Sequence, residues 1–243
     1  MIVFSDLAFL SLLTILWPVK RVAGKHEATR GLEWKGDISA LVTRIGEPLG
    51  GDEAASPQGE GLAALQTTEQ LRDWLTAYCR QRLCSHELPA VLQAWDFARR
   101  EFGRELVDLD QQWTLTHGNQ SFAEASFRVG RRQLVKLRPM RDQRAIQKYA
   151  AAVESGKAKG WHVIVYGLAL AAYSIPLRQG LVHFAQETLD GFVRSSPVGR
   201  LLSEVGQSEI LDAVQAVLNT EVSELIASHA SIERHPFESK GKS

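Results

Sequence analysis

The segment from His162 to Arg200 constrains the fold more than any other part of the chain. It begins with an aliphatic run, Val163 to Ala172, that contains no charged residue. A stretch of this length without charge is buried on most sides, and its good helix formers favour a helix over a strand. Gly167 within the run predicts that another backbone approaches closely. The run breaks at Ile175-Pro176.

An amphipathic helix is predicted after this break, and it ends on Arg194 just before a turn at Ser195 to Gly199. The arrangement is typical of a central helix followed by a second helix in a helical domain. It contains no catalytic pattern.

Helical spacing dominates the rest of the chain, and we find no internal repeat. Thr67 and Gln70 have the spacing of a capping box at a helix start. Ser85 is predicted to begin a further helix, with Leu88, Leu92, Trp95 and Phe102 inward and Gly103 at its end. Other helices are predicted over residues 1–20, 31–45, 106–116, 122–137, 145–153 and 209–226.

The fold class predicted from this spacing is all-α, a single-domain bundle over residues 1–243 with about eight to ten helices. A mobile loop is expected over 46–61, where Gly, Pro, Ser and acidic residues offer almost nothing to bury. The tail, 236–243, is expected to fray. The apolar N-terminus lacks a basic region and is too short and too polar to span a bilayer, so we predict no membrane association.

Charge is balanced overall but uneven along the chain. The net charge is zero, which gives no general attraction to nucleic acid. Residues 128–159 nevertheless hold ten basic residues against two acidic ones. Arg128, Arg132 and Lys136 share one helical face. A solvated face is the ordinary interpretation, and a docking surface for an acidic protein is the next. The aromatic interleaving expected for base stacking is missing from this segment, which argues against nucleic acid.

The cysteines and acidic residues do not form a recognisable reaction centre. Cys79 and Cys84 are five residues apart, which on an α-helix separates them too far for an easy bridge or a shared metal. We interpret them as reduced thiols of a cytoplasmic protein. Asp108 and Asp110 are interpreted as solvated charges. No phosphate-binding loop or nucleophile motif is present, so the sequence predicts no enzyme activity, no cofactor and no metal site.

The chain resembles the urease accessory proteins of the F type. The central residues that carry the resemblance are His162, Tyr166-Gly167, Pro176-Leu177, Arg194 and Pro197-Val198-Gly199. Further matches are Gly24, Thr29, Gly31-Leu32-Glu33, Glu87-Leu88-Pro89, Gly130, Leu134 and Leu137, with a faint echo of the family's tail at His229. The resemblance spans most of the chain and is most specific in its middle third.

The resemblance implies an all-α scaffold without catalysis of its own. Such proteins join a D-type (also called H-type) accessory protein and a small G-type GTPase on the urease apoprotein, and the assembly delivers nickel. A homodimer is left open. Two alternatives stay open as well: a helical enzyme with a pocket beside residues 163–172, and an adaptor that binds an acidic protein through 128–159 in another pathway. The predicted partner-binding residues are Gly31, Glu33, Arg128, Arg132, Lys136, His162, Tyr166, Arg194, Gly199 and His229.

Overall fold

A computed structural model describes residues 61–118, 122–140 and 142–234, with side chains up to residue 230. This part of the chain contains helices and no strand, which confirms the predicted all-α class. The helices are α1 (Thr68–Tyr78), α2 (Leu88–Arg99), α3 (Gly103–His117), α4 (Ala123–Leu137), α5 (Arg144–Glu154), α6 (His162–Ala172), α7 (Leu177–Ser195), α8 (Pro197–Leu201) and α9 (Glu204–Arg234). A 3₁₀ turn, Leu62–Ala64, precedes α1, and a π-helical segment, Cys79–Glu87, joins α1 to α2.

The described residues all belong to one compact unit within residues 34–243. The predicted helices over 1–20 and 31–45, the predicted loop (apart from Gly61) and the predicted frayed tail lie outside the described residues. The single domain over the whole chain stays a prediction. None of the helices that the structure describes is long and apolar enough to cross a bilayer.

The start of α1 follows the predicted capping box. The Gln70 amide donates to Thr67 Oγ1 at 3.2 Å, and the Thr67 amide donates to Gln70 Oε1 at 3.1 Å. These two bonds satisfy amides that have no partner within the helix. The helix then buries Leu71, Trp74, Leu75 and Tyr78 on one side.

The predicted helix start at Ser85 is wrong, because α1 runs without a break through the π-helical segment into α2. The reason lies in a buried row that repeats every four residues. A four-residue step overshoots one full turn by about 40° on an α-helix and falls short of it by about 30° on the wider π-helix. Alternating the two helix types therefore keeps the row on one side. The row consists of Leu75, Cys79, Leu83, Glu87 and Val91.

The end of α2 also differs from the prediction. The helix ends at Arg99, Glu101 takes a left-handed φ of 61°, and Gly103 opens α3 where we expected it to end α2. Phe102, predicted to face inward, is 43% exposed because it lies in this sharp turn rather than on a helix face. The side chain of Glu101 accepts a bond from the Ala145 amide at 2.6 Å and so links the turn to α5.

The most extensive helix pair in the described part is α2 with α6. Gly167 lies at this contact, as predicted: a methyl group in its place would come within 2.5 Å of the Val91 carbonyl oxygen and 2.8 Å of the Trp95 amide nitrogen. The absence of a side chain therefore lets the two backbones touch. Every residue of α6 from His162 to Leu170 is buried, which confirms the interpretation of the charge-poor run as a central helix.

A second close approach joins α4 to the start of α6. A methyl group at Gly130 would collide with the Gly160 carbonyl oxygen and lie 2.9 Å from the His162 amide nitrogen. The absence of a side chain at Gly130 therefore allows α4 to lie close to the backbone at the start of α6.

Asp110 does not behave as the solvated charge that we predicted. Its side chain is completely buried, whereas Asp108 is exposed. The Asp110 carboxylate accepts bonds from the Tyr149 hydroxyl at 2.6 Å and from the amides of Lys159, Gly160 and Trp161 at 2.6, 2.9 and 3.3 Å. A buried carboxylate with four donors is stable because its lone pairs are satisfied. This Asp110 cluster ties α3 to α5 and to the loop before α6.

Candidate partner-binding surface

The outer face of α4 carries the basic residues that the sequence placed together. Arg128, Arg132 and Lys136 are all exposed on it. The opposite face is buried, so the amphipathic pattern of this helix fixes which side faces outward. We call the exposed set of Arg128, Arg132 and Lys136 the basic face.

A groove between α4 and α5 borders the basic face. Its volume is about 250 Å³, and its lining residues are Arg131, Leu134, Val135, Arg138, Ala150, Val153 and Glu154. Val135 is 54% exposed there. The Arg131 side chain donates to the Lys159 carbonyl at 2.9 Å, and Arg138 pairs with Glu154. The groove therefore combines apolar lining residues with two arginines and the glutamate that pairs with Arg138.

His162 and Tyr166 are core residues rather than surface residues. They are 1% and 3% exposed. The His162 ring stacks on Phe184 with centroids 5.6 Å apart, and the Tyr166 hydroxyl donates to the Gly180 carbonyl at 3.2 Å. Burial lowers the pKa of His162 to about 3, so the ring is neutral near neutral pH. Both side chains hold α6 against α7 and do not reach the molecular surface of the described part.

Arg194 and Gly199 lie at the junction of α7 and α8 but have different surroundings. The Arg194 side chain is 60% exposed and pairs with Asp190 at 2.9 Å. Gly199 is buried, and its amide donates to Ser196 Oγ at 2.8 Å. A side chain at Gly199 would collide with the Val193 carbonyl oxygen. The predicted turn is therefore a short helix capped by Ser196.

Two exposed apolar residues next to this junction escaped the sequence analysis. Leu201 is 89% exposed and Val205 is 68% exposed. They are four residues apart, across the short link between α8 and α9. The sequence signal was present, since two aliphatic residues follow the Gly199 turn. We expected the last helix to begin at residue 209, however, and so did not assign these two residues to a helix face. We call Leu201 and Val205 the apolar corner.

The remaining predicted residues are His229, which is partly buried, and two residues outside the described part. His229 Nε2 lies 3.8 Å from the Oδ1 of Asp96, a buried carboxylate that also pairs with Arg99 at 3.0 Å and Arg100 at 2.9 Å. At 3.8 Å this approach is too long for a hydrogen bond, so the His229 ring lies beside the Asp96 carboxylate where α9 passes α2. Gly31 and Glu33 lie outside the described residues.

The described residues contain no group of three or more side chains able to hold a metal ion. Their exposed features include a basic face, a bordering groove and an apolar corner. These features define an all-α helical protein without a recognisable reaction centre among its described residues.

The comparison with protein families identifies the class more closely. The UreF family model matches residues 65–201, which is more than half of the chain. The chain therefore belongs to the UreF family, whose members are urease accessory proteins, and this confirms the resemblance found in the sequence. A comparison with curated protein sequences returns no match.

Proposed function

We propose that this protein is a maturation scaffold for urease. It would hold a D-type accessory protein and a G-type GTPase on the urease apoprotein so that nickel, the cargo of the assembly, reaches the urease site. The observation that carries this proposal is the family match over residues 65–201. The scaffold itself contributes binding free energy and alignment, and the GTPase partner contributes nucleotide hydrolysis.

The packing of the helical body supports a role as a rigid platform. Close backbone contacts at Gly130 and Gly167 leave little freedom for α4 to move relative to α6, or for α6 to move relative to α2. A rigid platform loses little conformational entropy when partners bind, which favours an ordered assembly. The predicted site residues then have two roles: His162, Tyr166 and Gly199 shape the platform, while Arg128, Arg132, Lys136 and Arg194 contact partners.

The main test is the nickel content of urease from cells that lack the gene. We expect urease from the deletion strain to be nearly free of nickel, and the wild-type gene to restore it. The purified scaffold should also retain the D-type protein and the GTPase when all are co-expressed. Normal nickel content in the deletion strain would contradict the proposal.

The role of the basic face is tested by charge reversal. Arg128→Glu with Lys136→Glu should weaken a partner complex roughly tenfold to a hundredfold, because each contact between opposite charges becomes repulsive. The matched control is Arg72→Glu with Arg104→Glu, which makes the same charge change at exposed positions on α1 and α3. Equal weakening by both pairs would assign the effect to net charge alone.

The basic face also favours a second candidate, an adaptor for an acidic protein in another pathway. Its distinguishing result is a complex that dissociates with rising salt, is lost in the Arg128→Glu and Lys136→Glu variant, and contains no urease component. Urease nickel would then be normal in the deletion strain. The nickel measurement therefore separates the two candidates.

A further inference from the structure

The π-helical segment Cys79–Glu87 brings side chains together at a spacing that an α-helix keeps apart. Three pairs of residues in it are in contact, each five positions apart. The Ser85 hydroxyl donates to the Arg80 carbonyl at 2.6 Å, Arg82 Nε donates to Glu87 Oε1 at 3.1 Å, and Cys79 Sγ lies 3.7 Å from Cys84 Sγ. A π-helix aligns positions i and i+5, so the three contacts have one geometric cause. The predicted separation of the two cysteines is therefore wrong.

The two thiols differ in their access to solvent. Cys79 is completely buried, and Cys84 is half-buried. A dissolved reagent can therefore reach Cys84 first, while Cys79 reacts only with a group already held beside it. The two sulfurs are close enough to share a weak hydrogen bond, in which either thiol can be the donor. Cys79 is therefore already positioned beside Cys84 to act as the second nucleophile.

We propose that Cys79 and Cys84 form a redox-active dithiol that closes to a disulfide within the helix by exchange with a low-molecular-weight disulfide. Cys84 loses its proton to solvent and attacks one sulfur of the small disulfide, which releases one small thiol and leaves a mixed disulfide. The Cys79 thiolate then attacks Cys84 Sγ and releases the second small thiol. The protein loses two hydrogens and the small disulfide gains them.

The geometry allows the second step with a local movement. A disulfide needs the sulfurs about 2.05 Å apart, so they must approach by about 1.7 Å, a distance that side-chain rotation and small backbone shifts can supply. On an α-helix the two positions would point in directions about 140° apart. Closure therefore depends on the π-helical register, and the closed disulfide would fix that register.

The test uses the reduced full-length chain in native buffer with oxidised glutathione, followed by intact mass and thiol counting. The wild type should lose two hydrogens, retain no glutathione, and regain both thiols with dithiothreitol. Cys79→Ser should keep one glutathione on Cys84, since nothing displaces it. Cys84→Ser should react at least tenfold more slowly, because its remaining thiol is buried. Serine is close to cysteine in size, and circular dichroism checks that each variant is folded.

A register control shows whether the π-helix is responsible. The double variant Cys84→Ser with Ser85→Cys keeps the same residues but moves the second thiol one position along. We expect it to hold glutathione as a mixed disulfide and to close at least tenfold more slowly than the wild type. The proposal is overturned if the wild type keeps a stable glutathione adduct, if its thiols stay unreacted, or if the register control closes as fast. Disulfide-linked dimers through Cys84 as the main product would overturn it too.

Discussion

The same sequence rules gave a correct prediction for the contact between α2 and α6 and a wrong one for the π-helical segment that leads into α2. At α2–α6, a lone glycine in a charge-poor helix predicted a close backbone approach, and Gly167 lies within reach of the Val91 carbonyl. In the π-helical segment, the same α-helical reasoning separated Cys79 from Cys84, and the structure places their sulfurs 3.7 Å apart. The difference teaches that residue spacing has structural meaning only once the helix type is known.

The sequence did carry a signal for the wider helix. The buried positions at 75, 79, 83, 87 and 91 repeat every four residues, while an α-helix repeats every 3.6. Over this distance an α-helix alone would turn the row by about 160° and expose part of it. A period longer than 3.6 residues, sustained through a polar stretch, is therefore a usable indication of a π-helical insertion.

The largest effect is expected from Asp110, whose hydrogen bonds hold the loop that leads into α6. Asp110→Ala leaves three backbone amides and the Tyr149 hydroxyl without their acceptor, and we expect a loss of about 4 kcal/mol in the free energy of unfolding. Urea titration measures it. The matched control is Asp108→Ala, two positions away and exposed, which should change stability by less than about 0.5 kcal/mol. Similar losses in both variants would contradict the role of the Asp110 cluster.

Gly167 tests the close approach itself. Gly167→Ala places a methyl group 2.5 Å from the Val91 carbonyl oxygen, so the helices must separate, and we expect a loss of about 3 kcal/mol. Gly206→Ala is the control, because its added methyl has no neighbour closer than 3.6 Å and alanine is the better helix former. The control should gain about 0.5 kcal/mol. An unchanged urea midpoint in Gly167→Ala would show that α2 and α6 can move apart freely.

His162 makes the packed core sensitive to acid. Burial lowers the pKa of His162 to about 3 in the folded state, against 6.5 in the unfolded state. The unfolded chain therefore takes up a proton first as the pH falls, and stability is lost between pH 6.5 and pH 3. Within this window His162 lowers the folding equilibrium constant roughly tenfold for each unit by which the pH falls.

The measurement is urea unfolding at pH 6 and at pH 5, compared with His162→Phe. Between pH 6 and pH 5 the free energy of unfolding should fall less in the variant than in the wild type, because one group that takes up a proton on unfolding is gone. This difference does not depend on the absolute stability of the variant. His117, whose pKa burial lowers to about 4, contributes in the same direction and remains in both proteins. Identical pH dependence in the variant and the wild type would mean that His162 is not protonated differently in the two states.

The smallest effect is expected on the π-helical side. Tyr78→Phe removes the hydroxyl that donates to Glu87 Oε1 at 2.9 Å, while Arg82 still pairs with that carboxylate. We expect a loss of about 1 kcal/mol, as for one buried hydrogen bond. Tyr173→Phe, at a 38% exposed position, should be nearly neutral by comparison. A loss above about 3 kcal/mol would mean that the segment depends on this bond far more than its geometry indicates.

The fold could be predicted where patterns are local. The capping box at Thr67, the close approach at Gly167 and the break at Pro176 each depend on a few neighbouring residues. Burial of Asp110 could not be predicted, because its donors lie 39 to 51 positions away along the chain.

The candidate surface was predictable in part for the same reason. The basic face follows from α-helical spacing within α4 alone. The apolar corner does not, since the exposure of Leu201 and Val205 depends on how α8 and α9 pack onto the rest of the molecule. A large aliphatic residue gives no indication in the sequence of whether a partner or the core will cover it.

The Asp110 cluster has a consequence for how the chain is made. The carboxylate emerges from the ribosome some fifty residues ahead of the Gly160 amide that binds it. Until those residues are synthesised, α3 has only its local hydrogen bonds and the apolar contacts already available to it. During synthesis α3 therefore cannot form the Asp110 cluster until the loop before α6 has been made. This part of the protein can become rigid only after that point in translation.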